Sequence, residues 1–309
     1  MNKRHVLDLD TYSKIDIESL FKNTVKMKDL LQRDMKKIAS LNGKTVVNIF
    51  LEASTRTRVS FERAAKILSA DVINVSGSGS SIEIGESLYN TALTLQAMNA
   101  DIIIVRHPHA GAPYFLSRHL DANVITAGDG SHAHPTQAML DVFTIMKECG
   151  KVDDLNIAIF GDLKYGRTVY SLLYALSNYK PNIFLVSPAL LQLRQDPLID
   201  IQKTLNISQH DNISDIISKL DVIYTTRIQK ERFPDLQEYE RVKGSYKIDE
   251  ELLDQAKESL ILLHPMPRSD EIPPSIDETK FAKYFQQMSY GKLIRSALLH
   301  LVFNENPSF

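Results

Sequence analysis

Residues 45–58 read Thr45-Val46-Val47-Asn48-Ile49-Phe50-Leu51-Glu52-Ala53-Ser54-Thr55-Arg56-Thr57-Arg58. The apolar run that ends at Phe50 predicts a buried strand, and the residues after Arg58 keep the apolar spacing of a helix. The hydroxyls and guanidiniums between these two segments therefore lie in a turn that leads from a strand into a helix.

The polar turn Ser54–Thr57 is a candidate phosphate site. A helix begins with backbone N–H groups that lack intrahelical partners and with the positive end of its dipole, so anions bind there readily. Arg56 adds a planar guanidinium that suits phosphate oxygens. The same residues also fit a simple helix cap with solvated arginines, and this turn alone leaves both interpretations open.

Short apolar runs recur along the chain, with segments of helical spacing between many of them. The predicted strands are Val46–Phe50, Val72–Val75, Ile102–Val105, Val124–Thr126, Ile157–Phe160, Ile183–Val186, Val222–Thr225 and Leu260–Leu263. Most are continuous rather than alternating, as is typical of strands buried on both faces of a parallel sheet. Repeated strand–helix units predict an α/β fold with two doubly wound parallel-sheet domains and right-handed crossovers.

The distribution of these strands predicts the domain limits. We expect a first domain over residues 1–134 and a second over residues 135–289, linked by a helix near Pro135–Glu148. The last helical stretch, within residues 290–309, follows every predicted strand and needs an apolar surface to cover. It is expected to pack back on the first domain and complete it.

Polar groups stand where the predicted strands end. In open α/β sheets, ligands bind outside the carboxyl ends of the strands. The segments at those ends are Ser54–Thr57, Arg106–Pro108, Gly128–Gln137, Gly161–Arg167, Thr226–Gln229 and His264–Arg268. Each supplies a polar or cationic side chain, which predicts an anion-binding cleft.

The composition excludes several classes of function. The 309 residues are 43% hydrophobic and 24% charged, as is typical of a soluble globular protein, and the formal net charge of −2 gives no basic field for nucleic acid or an anionic membrane. Cys149 is the only cysteine, so neither an internal disulfide nor a cysteine zinc cage is possible. Because the start Met1–His5 is charged and no apolar run reaches membrane length, we expect a cytoplasmic protein.

Two histidines follow the fourth predicted strand. His132 and His134 are candidate metal ligands, but no carboxylate or cysteine cluster in the sequence supports them. His134 directly precedes Pro135 at a helix start, so it is better placed to donate to a substrate oxygen, and Gln137 lies on the same helix face. A histidine that only caps its turn is the alternative interpretation.

Nucleotide sites have little support in the sequence. The segment Gly161–Gly166 lacks the G-x-G-x-x-G pattern of dinucleotide sites, and the P-loop pattern is absent. Arg167, at the next helix start, is therefore interpreted as a carboxylate clamp.

The segment Pro265-Met266-Pro267 predicts a rigid corner. Pro267 could carry a cis peptide bond, because cis bonds occur almost only before proline and usually in turns. An ordinary extended linker is the alternative.

Together these motifs resemble a known family. In chain order they are Ser54–Arg58, Gly85–Ser87, Gly128–Gly130, His134–Gln137, Gly161–Val169, Thr226–Arg232 and His264–Arg268. Over nearly its whole length the chain is similar to the catalytic chains of aspartate carbamoyltransferases. Ornithine carbamoyltransferases share the Ser-x-Arg-Thr-Arg pattern, but they typically carry a cysteine in the loop where Pro265 stands here. The segment Arg227–Gln229 suits a dicarboxylic amino acid, which also favours the aspartate branch.

The resemblance implies a reaction and its substrates. The carbamoyl group of carbamoyl phosphate would pass to the α-amino group of L-aspartate, giving N-carbamoyl-L-aspartate and phosphate in de novo pyrimidine biosynthesis. The amine attacks the carbonyl carbon and a tetrahedral intermediate expels phosphate, without a metal or another cofactor. Catalysis of this kind depends on positioning and on stabilisation of the developing charge.

The resemblance also implies the site residues. Carbamoyl phosphate would be bound by Ser54, Thr55, Arg56, Thr57, Arg106, His134, Gln137, Met266 and Pro267. Thr57, Arg106 and His134 would be the catalytic residues that donate toward the carbonyl oxygen. The aspartate carboxylates would be held by Arg167, Thr168, Arg227 and Gln229.

A homotrimer with shared active sites is a further implication, and it remains open whether regulatory chains join the assembly. The loop around Ser80–Gly85 of one subunit is expected to reach its neighbour's cleft. Here the sequence departs from the family, because Ile84 stands where a lysine normally precedes the glycine. Loss of such a catalytic charge predicts a rate lower by about 10²–10³.

Two classes of function follow from this departure. The leading hypothesis is a working aspartate carbamoyltransferase that is either slow or rescued by another cation, and the alternative is a carbamoyltransferase-like scaffold or regulatory subunit that still binds ligand. Ile84 favours the alternative. The retained side chains of Arg56, Arg106, His134, Arg167 and Arg227 favour the enzyme.

Overall fold

The computed structural model describes residues 5–32 and 36–304, and this part of the chain contains ten α-helices and nine β-strands. The helices are α1 (Lys14–Gln32), α2 (Thr55–Ile67), α3 (Leu88–Ala97), α4 (Ala112–Ser117), α5 (Pro135–Cys149), α6 (Arg167–Leu176), α7 (Gln195–Ile201), α8 (Leu236–Val242), α9 (Glu250–Leu253) and α10 (Tyr284–Phe303). The strands are β1 (Thr45–Phe50), β2 (Asp71–Ser76), β3 (Ile102–His107), β4 (Asn123–Asp129), β5 (Asn156–Gly161), β6 (Asn182–Val186), β7 (Asn206–His210), β8 (Val222–Thr226) and β9 (Ile261–Leu263). Of the helices in these residues, none combines the length and the apolar character that a membrane crossing requires.

These elements form two compact units. The first unit takes the described residues up to Met139 together with those from Ser289 onward, and the second is Leu140–Met288. Both unit boundaries fall inside helices, in α5 and α10. The domain limits expected from the sequence, 1–134 with 290–309 and 135–289, stay predictions, and their residues 1–4, 33–35 and 305–309 lie outside the described part.

A four-stranded parallel sheet in the order β2-β1-β3-β4 is the framework of the first unit. In β1, Val46 stands opposite Val72 of β2 on one side and Ile102 of β3 on the other. Val47 and Ile103 are fully buried in the apolar cluster of this unit. Burial of these strands is what the continuous apolar runs predicted.

The edge strand β2 departs from that expectation. None of its residues is fully buried, and Ile73 is 41% exposed. The strand order puts β2 at the end of the sheet, where it has a neighbouring strand on one side only. The edge position alone does not explain this exposure, because β4 at the opposite edge of the sheet is almost entirely buried, so the burial expected from the apolar run does not hold for β2.

The second unit contains a five-stranded parallel sheet in the order β7-β6-β5-β8-β9. The chain enters at the central strand β5, continues outward to β6 and β7, and then crosses to β8 and β9 on the other side. The strand order therefore reverses between β5 and β8, where Gly161 pairs with Thr226. The carboxyl edge at such a reversal is the usual ligand site of an open α/β sheet.

Strand β7 was not among the predicted strands, so this sheet has five strands where the sequence predicted four. Ile207 is the only large apolar side chain in β7, whose residues are mostly exposed at the sheet edge. Because an edge strand needs no continuous apolar run, its sequence has no period that would distinguish it from a loop.

The C-terminal helix α10 packs back on the first unit, as predicted. Arg295 donates to Ser60 Oγ over 2.8 Å, and its guanidinium lies 5.0 Å from the centre of the Phe61 ring. Closer to the helix end, His300 contacts the hydroxyl of Ser40. The helix thus attaches a segment that is distant in sequence to α2 and the residues before β1.

Candidate functional site

The turn after β1 leads into α2 as the sequence predicted. Ser54 occupies the N-cap position in an extended conformation, but its hydroxyl makes no capping hydrogen bond to the helix. Thr57 is buried in the first turn, whereas Thr55 and Arg56 are exposed. The Ser54 hydroxyl is therefore not used to cap the helix, which favours the anion-site interpretation over the simple cap.

Arg106 lies near the end of β3 with only 8% of its surface exposed. Because β1 and β3 are neighbours, Phe50 stands opposite Arg106, and the chain beyond β1 brings Glu52 alongside. Arg106 donates from Nη2 to Glu52 Oε1 and from Nη1 to the Ala127 carbonyl oxygen, both over 3.2 Å. These bonds fix the direction of a guanidinium at the carboxyl edge of the sheet.

His134 precedes the first residue of α5 and is 4% exposed. Its carbonyl oxygen accepts from the Gln137 N–H over 3.0 Å and from the Ala138 N–H over 3.2 Å. Gln137 is 8% exposed. Since β1, β3 and β4 are adjacent, the turn Ser54–Thr57, Arg106 and the loop with His134 all follow the carboxyl edge of one sheet.

His132 has a different setting from His134. It lies between two carboxylates, with Nδ1 3.2 Å from Asp129 and Nε2 3.6 Å from Asp8. The hydrogen bond that the Asp129 carboxylate accepts from the ring raises the pKa of His132, and burial raises the pKa of Asp8 to about 6. In the described residues, no group of three or more histidine, cysteine, aspartate or glutamate side chains is arranged to hold a metal ion.

In the second unit, the loop after β5 places Arg167 at the start of α6. A Cβ atom at Gly166 would lie 2.6 Å from the carbonyl oxygen of Asp162, so only glycine fits there. The fully buried Asp162 carboxylate accepts from the Tyr165 N–H over 2.9 Å, and burial raises its pKa. This loop holds Arg167, which is 5% exposed, at the carboxyl edge beside the strand reversal.

The segment after β8 is hydrogen-bonded to that same loop. Gln229 donates from its backbone N–H to Asp162 Oδ2 over 3.3 Å and from Nε2 to the Tyr165 carbonyl oxygen over 3.2 Å. Arg227 donates to both carboxylate oxygens of Glu231. Burial alone would raise the pKa of Glu231, but the bonds from Arg227 hold it below its usual value. Three of the predicted aspartate-binding residues, Arg167, Arg227 and Gln229, therefore belong to two linked loops.

The corner after β9 contains the cis peptide bond Met266–Pro267, which confirms the hypothesis made for Pro267. Met266 has a φ of 59°, in the left-handed region that few residues other than glycine adopt. Arg268 donates to both carboxylate oxygens of Asp277 and to the Tyr284 hydroxyl, and these bonds stabilise the corner.

The loop that carries Ile84 has its own internal bonds. Ser80 donates from Oγ to the Gly77 carbonyl oxygen over 3.0 Å, and Glu83 accepts from the Gly79 N–H over 2.6 Å. Residues Ser81–Ile84 form a 3-10 turn that ends at Gly85, and the Ile84 side chain is 89% exposed. The loop therefore exposes an isoleucine at the position where the resemblance led us to expect a lysine.

Several carboxylates that orient the predicted site residues were given no role by the sequence. Glu52, Asp162 and Glu231 lie within sequence segments that were already identified. Their position in those segments is the sequence signal from which their role could have been predicted. Asp8 has no such signal, because its contact with His132 joins residues far apart in the chain.

The fold and its polar strand ends define a class: an α/β protein of two units, each with arginines at the carboxyl ends of its parallel strands. The family model described as "Aspartate/ornithine carbamoyltransferase, carbamoyl-P binding domain" matches residues 4–147, and the one described as "Aspartate/ornithine carbamoyltransferase, Asp/Orn binding domain" matches residues 153–302. The chain belongs to the aspartate/ornithine carbamoyltransferase family.

Relatives and solved structures are similar over almost the whole chain. The aspartate carbamoyltransferase catalytic subunit of Archaeoglobus fulgidus is 46% identical, over 96% of this chain and 98% of that protein. The catalytic subunit of Methanocaldococcus jannaschii aspartate transcarbamoylase has a TM-score of 0.89 at 42% identity, covering 98% of this chain and 99% of that one. Trypanosoma cruzi aspartate transcarbamoylase in complex with carbamoyl phosphate and aspartate has a TM-score of 0.94 at 35% identity, with 98% of each chain covered.

Proposed function

We propose that this protein transfers the carbamoyl group of carbamoyl phosphate to L-aspartate, giving N-carbamoyl-L-aspartate and phosphate in de novo pyrimidine biosynthesis. The observation that carries the proposal is the pair of hydrogen bonds by which Gln229 joins the segment that contains Arg227 to the loop that holds Arg167. Two arginines on connected loops suit an acceptor with two carboxylates, because each guanidinium can orient one carboxylate by paired hydrogen bonds.

Carbamoyl phosphate is assigned to the first unit through its phosphate. Ser54, Thr55 and Thr57 offer hydroxyls and backbone N–H groups at the start of α2, and the exposed Arg56 adds a guanidinium. Each of these groups donates to an anion, and the helix dipole favours negative charge at the same place.

Stabilisation of the tetrahedral intermediate is assigned to Arg106, His134 and Thr57. The Glu52 and Ala127 bonds hold Arg106 in one orientation before substrate arrives. Preorganised donors of this kind stabilise an oxyanion without reorganisation during the reaction, and losing one typically costs about 10²–10³ in rate. Gln137 and the backbone at Met266–Pro267 are assigned to the carbamoyl amide, and Thr168 joins the aspartate-binding residues.

The test is a colorimetric assay of carbamoyl aspartate with the purified protein, carbamoyl phosphate and L-aspartate. L-Ornithine under the same conditions is the control, because it keeps the α-amino group but has a longer side chain that ends in an amine instead of a carboxylate. We expect product with aspartate and none with ornithine. Absence of carbamoyl aspartate at high enzyme concentration would contradict the proposal.

A second candidate function rests on Ile84. A scaffold or regulatory subunit would bind carbamoyl phosphate without turning it over, and the missing lysine favours this alternative. Calorimetric binding of carbamoyl phosphate together with no detectable product would support the scaffold. Measurable turnover would exclude it.

For the assembly, we propose a homotrimer with shared active sites. Large apolar side chains are exposed on α2, on β2 and in the following loop, with Val59 at 53%, Ile73 at 41% and Ile84 at 89%. An edge strand with exposed apolar neighbours is suited to a subunit contact. Light scattering that finds only monomers at micromolar concentration would count against shared sites. Association with regulatory chains and a cytoplasmic location stay predictions.

A further inference from the structure

His264 is completely buried at the corner that follows β9, and both of its ring nitrogens have partners. The backbone N–H of Met266 donates to Nδ1 over 2.7 Å. On the other side of the ring, Nε2 lies 2.8 Å from Glu271 Oε1. The imidazole thus connects the peptide two residues ahead of it to a carboxylate seven residues away.

These contacts define one protonation state of the ring. A peptide N–H can only donate, so Nδ1 must carry the lone pair and Nε2 the proton that is donated to Glu271. Burial lowers the pKa of His264, which keeps the ring neutral. Burial alone would raise the pKa of Glu271, but hydrogen bonds from His264 and from the Ser269 N–H hold that pKa below its usual value. A neutral imidazole beside an ionised carboxylate has this single tautomer.

The network fixes the backbone of the corner. Glu271 accepts from the Ser269 N–H over 3.0 Å, and the His264 N–H donates to Gln287 Oε1 over 3.0 Å. Between these attachments Met266 holds a φ of 59°. A left-handed conformation at a residue other than glycine is unfavourable and persists only where its surroundings determine it. The bond from the Met266 N–H to His264 is the contact that ties this residue to the buried network.

We propose that His264 is a positioning residue for the carbamoyl group: by accepting from the Met266 N–H, it fixes the backbone at Met266–Pro267, which is assigned to the carbamoyl amide. This inference rests on the proposed function. His264 itself touches no substrate, because it is buried behind the corner. Its effect is specific for the amide end of carbamoyl phosphate, since the phosphate end is assigned to Ser54–Thr57.

Two amide variants separate the two ring nitrogens. His264→Asn keeps an acceptor at the place of Nδ1, and His264→Gln keeps a donor at the place of Nε2. Calorimetry on both would compare carbamoyl phosphate with inorganic phosphate, which lacks the carbamoyl group. We expect His264→Gln to bind carbamoyl phosphate about 3- to 10-fold more weakly, with phosphate affinity unchanged, because one hydrogen bond that orients the corner is lost. His264→Asn should stay close to the wild type.

Kinetics provide the second readout. In His264→Gln, the KM for carbamoyl phosphate should rise more than kcat falls, and the Asn variant should restore it. If both variants keep wild-type affinity, or if both lose carbamoyl phosphate and phosphate affinity equally, the positioning role is wrong. Glu271→Asp, which withdraws the carboxylate by one methylene group, gives the same comparison where a His264 variant does not fold. A wild type that makes no carbamoyl aspartate would overturn the proposed function and this inference with it, whereas unaffected variants of an active enzyme would overturn the inference alone.

Discussion

Arg227 donates from both terminal guanidinium nitrogens to the carboxylate of Glu231, four residues further along the chain. The Arg227 side chain is 24% exposed and the Glu231 side chain 55% exposed, so water reaches the pair. Exposed ion pairs contribute only about 0–1 kcal/mol to the free energy of folding. Glu231 therefore orients the Arg227 guanidinium but binds it weakly. A substrate carboxylate can therefore share or replace this partner at small cost.

Arg227→Ala should weaken aspartate binding and spare carbamoyl phosphate. Hydrogen bonds to charged groups contribute about 1.5–3 kcal/mol, so the KM for aspartate should rise about 10- to 100-fold. Steady-state kinetics give the KM, and calorimetry gives the carbamoyl phosphate affinity. Glu231→Gln, which retains the arginine, is the matched control and should have a smaller effect. Equal loss of both affinities would indicate misfolding or a single common site.

Arg56→Ala should weaken the binding of both carbamoyl phosphate and inorganic phosphate about 10- to 100-fold, because a charge-assisted bond at a helix start is removed. The protein should stay folded by circular dichroism, since Arg56 is exposed. Arg63→Ala, further along α2, removes the same charge away from the helix start and serves as the control. Unchanged phosphate affinity in the Arg56 variant would mean that the phosphate site is wrongly assigned.

Ile84→Lys should raise kcat, by up to about 10²–10³ if the loop enters a neighbouring site. A lysine there would stabilise charge that develops in the transition state, so kcat should change more than substrate affinity. Ile84→Gln separates charge from polarity, and it should give little gain. A wild type that already turns over at about 10 s⁻¹ or faster, with no gain in the lysine variant, would show that another cation fills this role or that the loop stays outside the site.

Asp8 should make unfolding depend on pH. Burial raises its pKa from near 4 to about 6 in the folded protein, so the folded state binds the proton more tightly than the unfolded state. The resulting stabilisation is complete below about pH 4 and is lost as the pH rises through about 6. Asp8→Asn cannot titrate, so the difference in unfolding free energy between variant and wild type should change across this interval. Urea titrations followed by circular dichroism between pH 4 and pH 8 measure it, and a constant difference would contradict the assignment.

Much of the fold could be predicted because its signals are local. Continuous apolar runs identified eight of the nine strands in the described residues, and the sequence placed helices near Pro135–Glu148 (α5), after Arg167 (α6) and at the C-terminus (α10). The same reasoning missed β7, which has one large apolar side chain, and expected too much burial of β2, although the edge strands β4 and β9 are buried. Strand order depends on which runs pair in space, and a single run has no information about its neighbours.

The candidate site divides in the same way. By itself the sequence determined where cationic and hydroxyl groups follow the strands, since turns and helix starts depend on residues that are adjacent in the chain. Only the tertiary structure decided which carboxylates orient those groups: Glu52 and Arg106 are 54 residues apart, and Asp162 and Gln229 are 67 residues apart. The buried hydrogen bonds of His264 with Met266 and Glu271 also depend on the tertiary structure, because a hydrogen bond is set by distance and direction in space rather than by position in the chain.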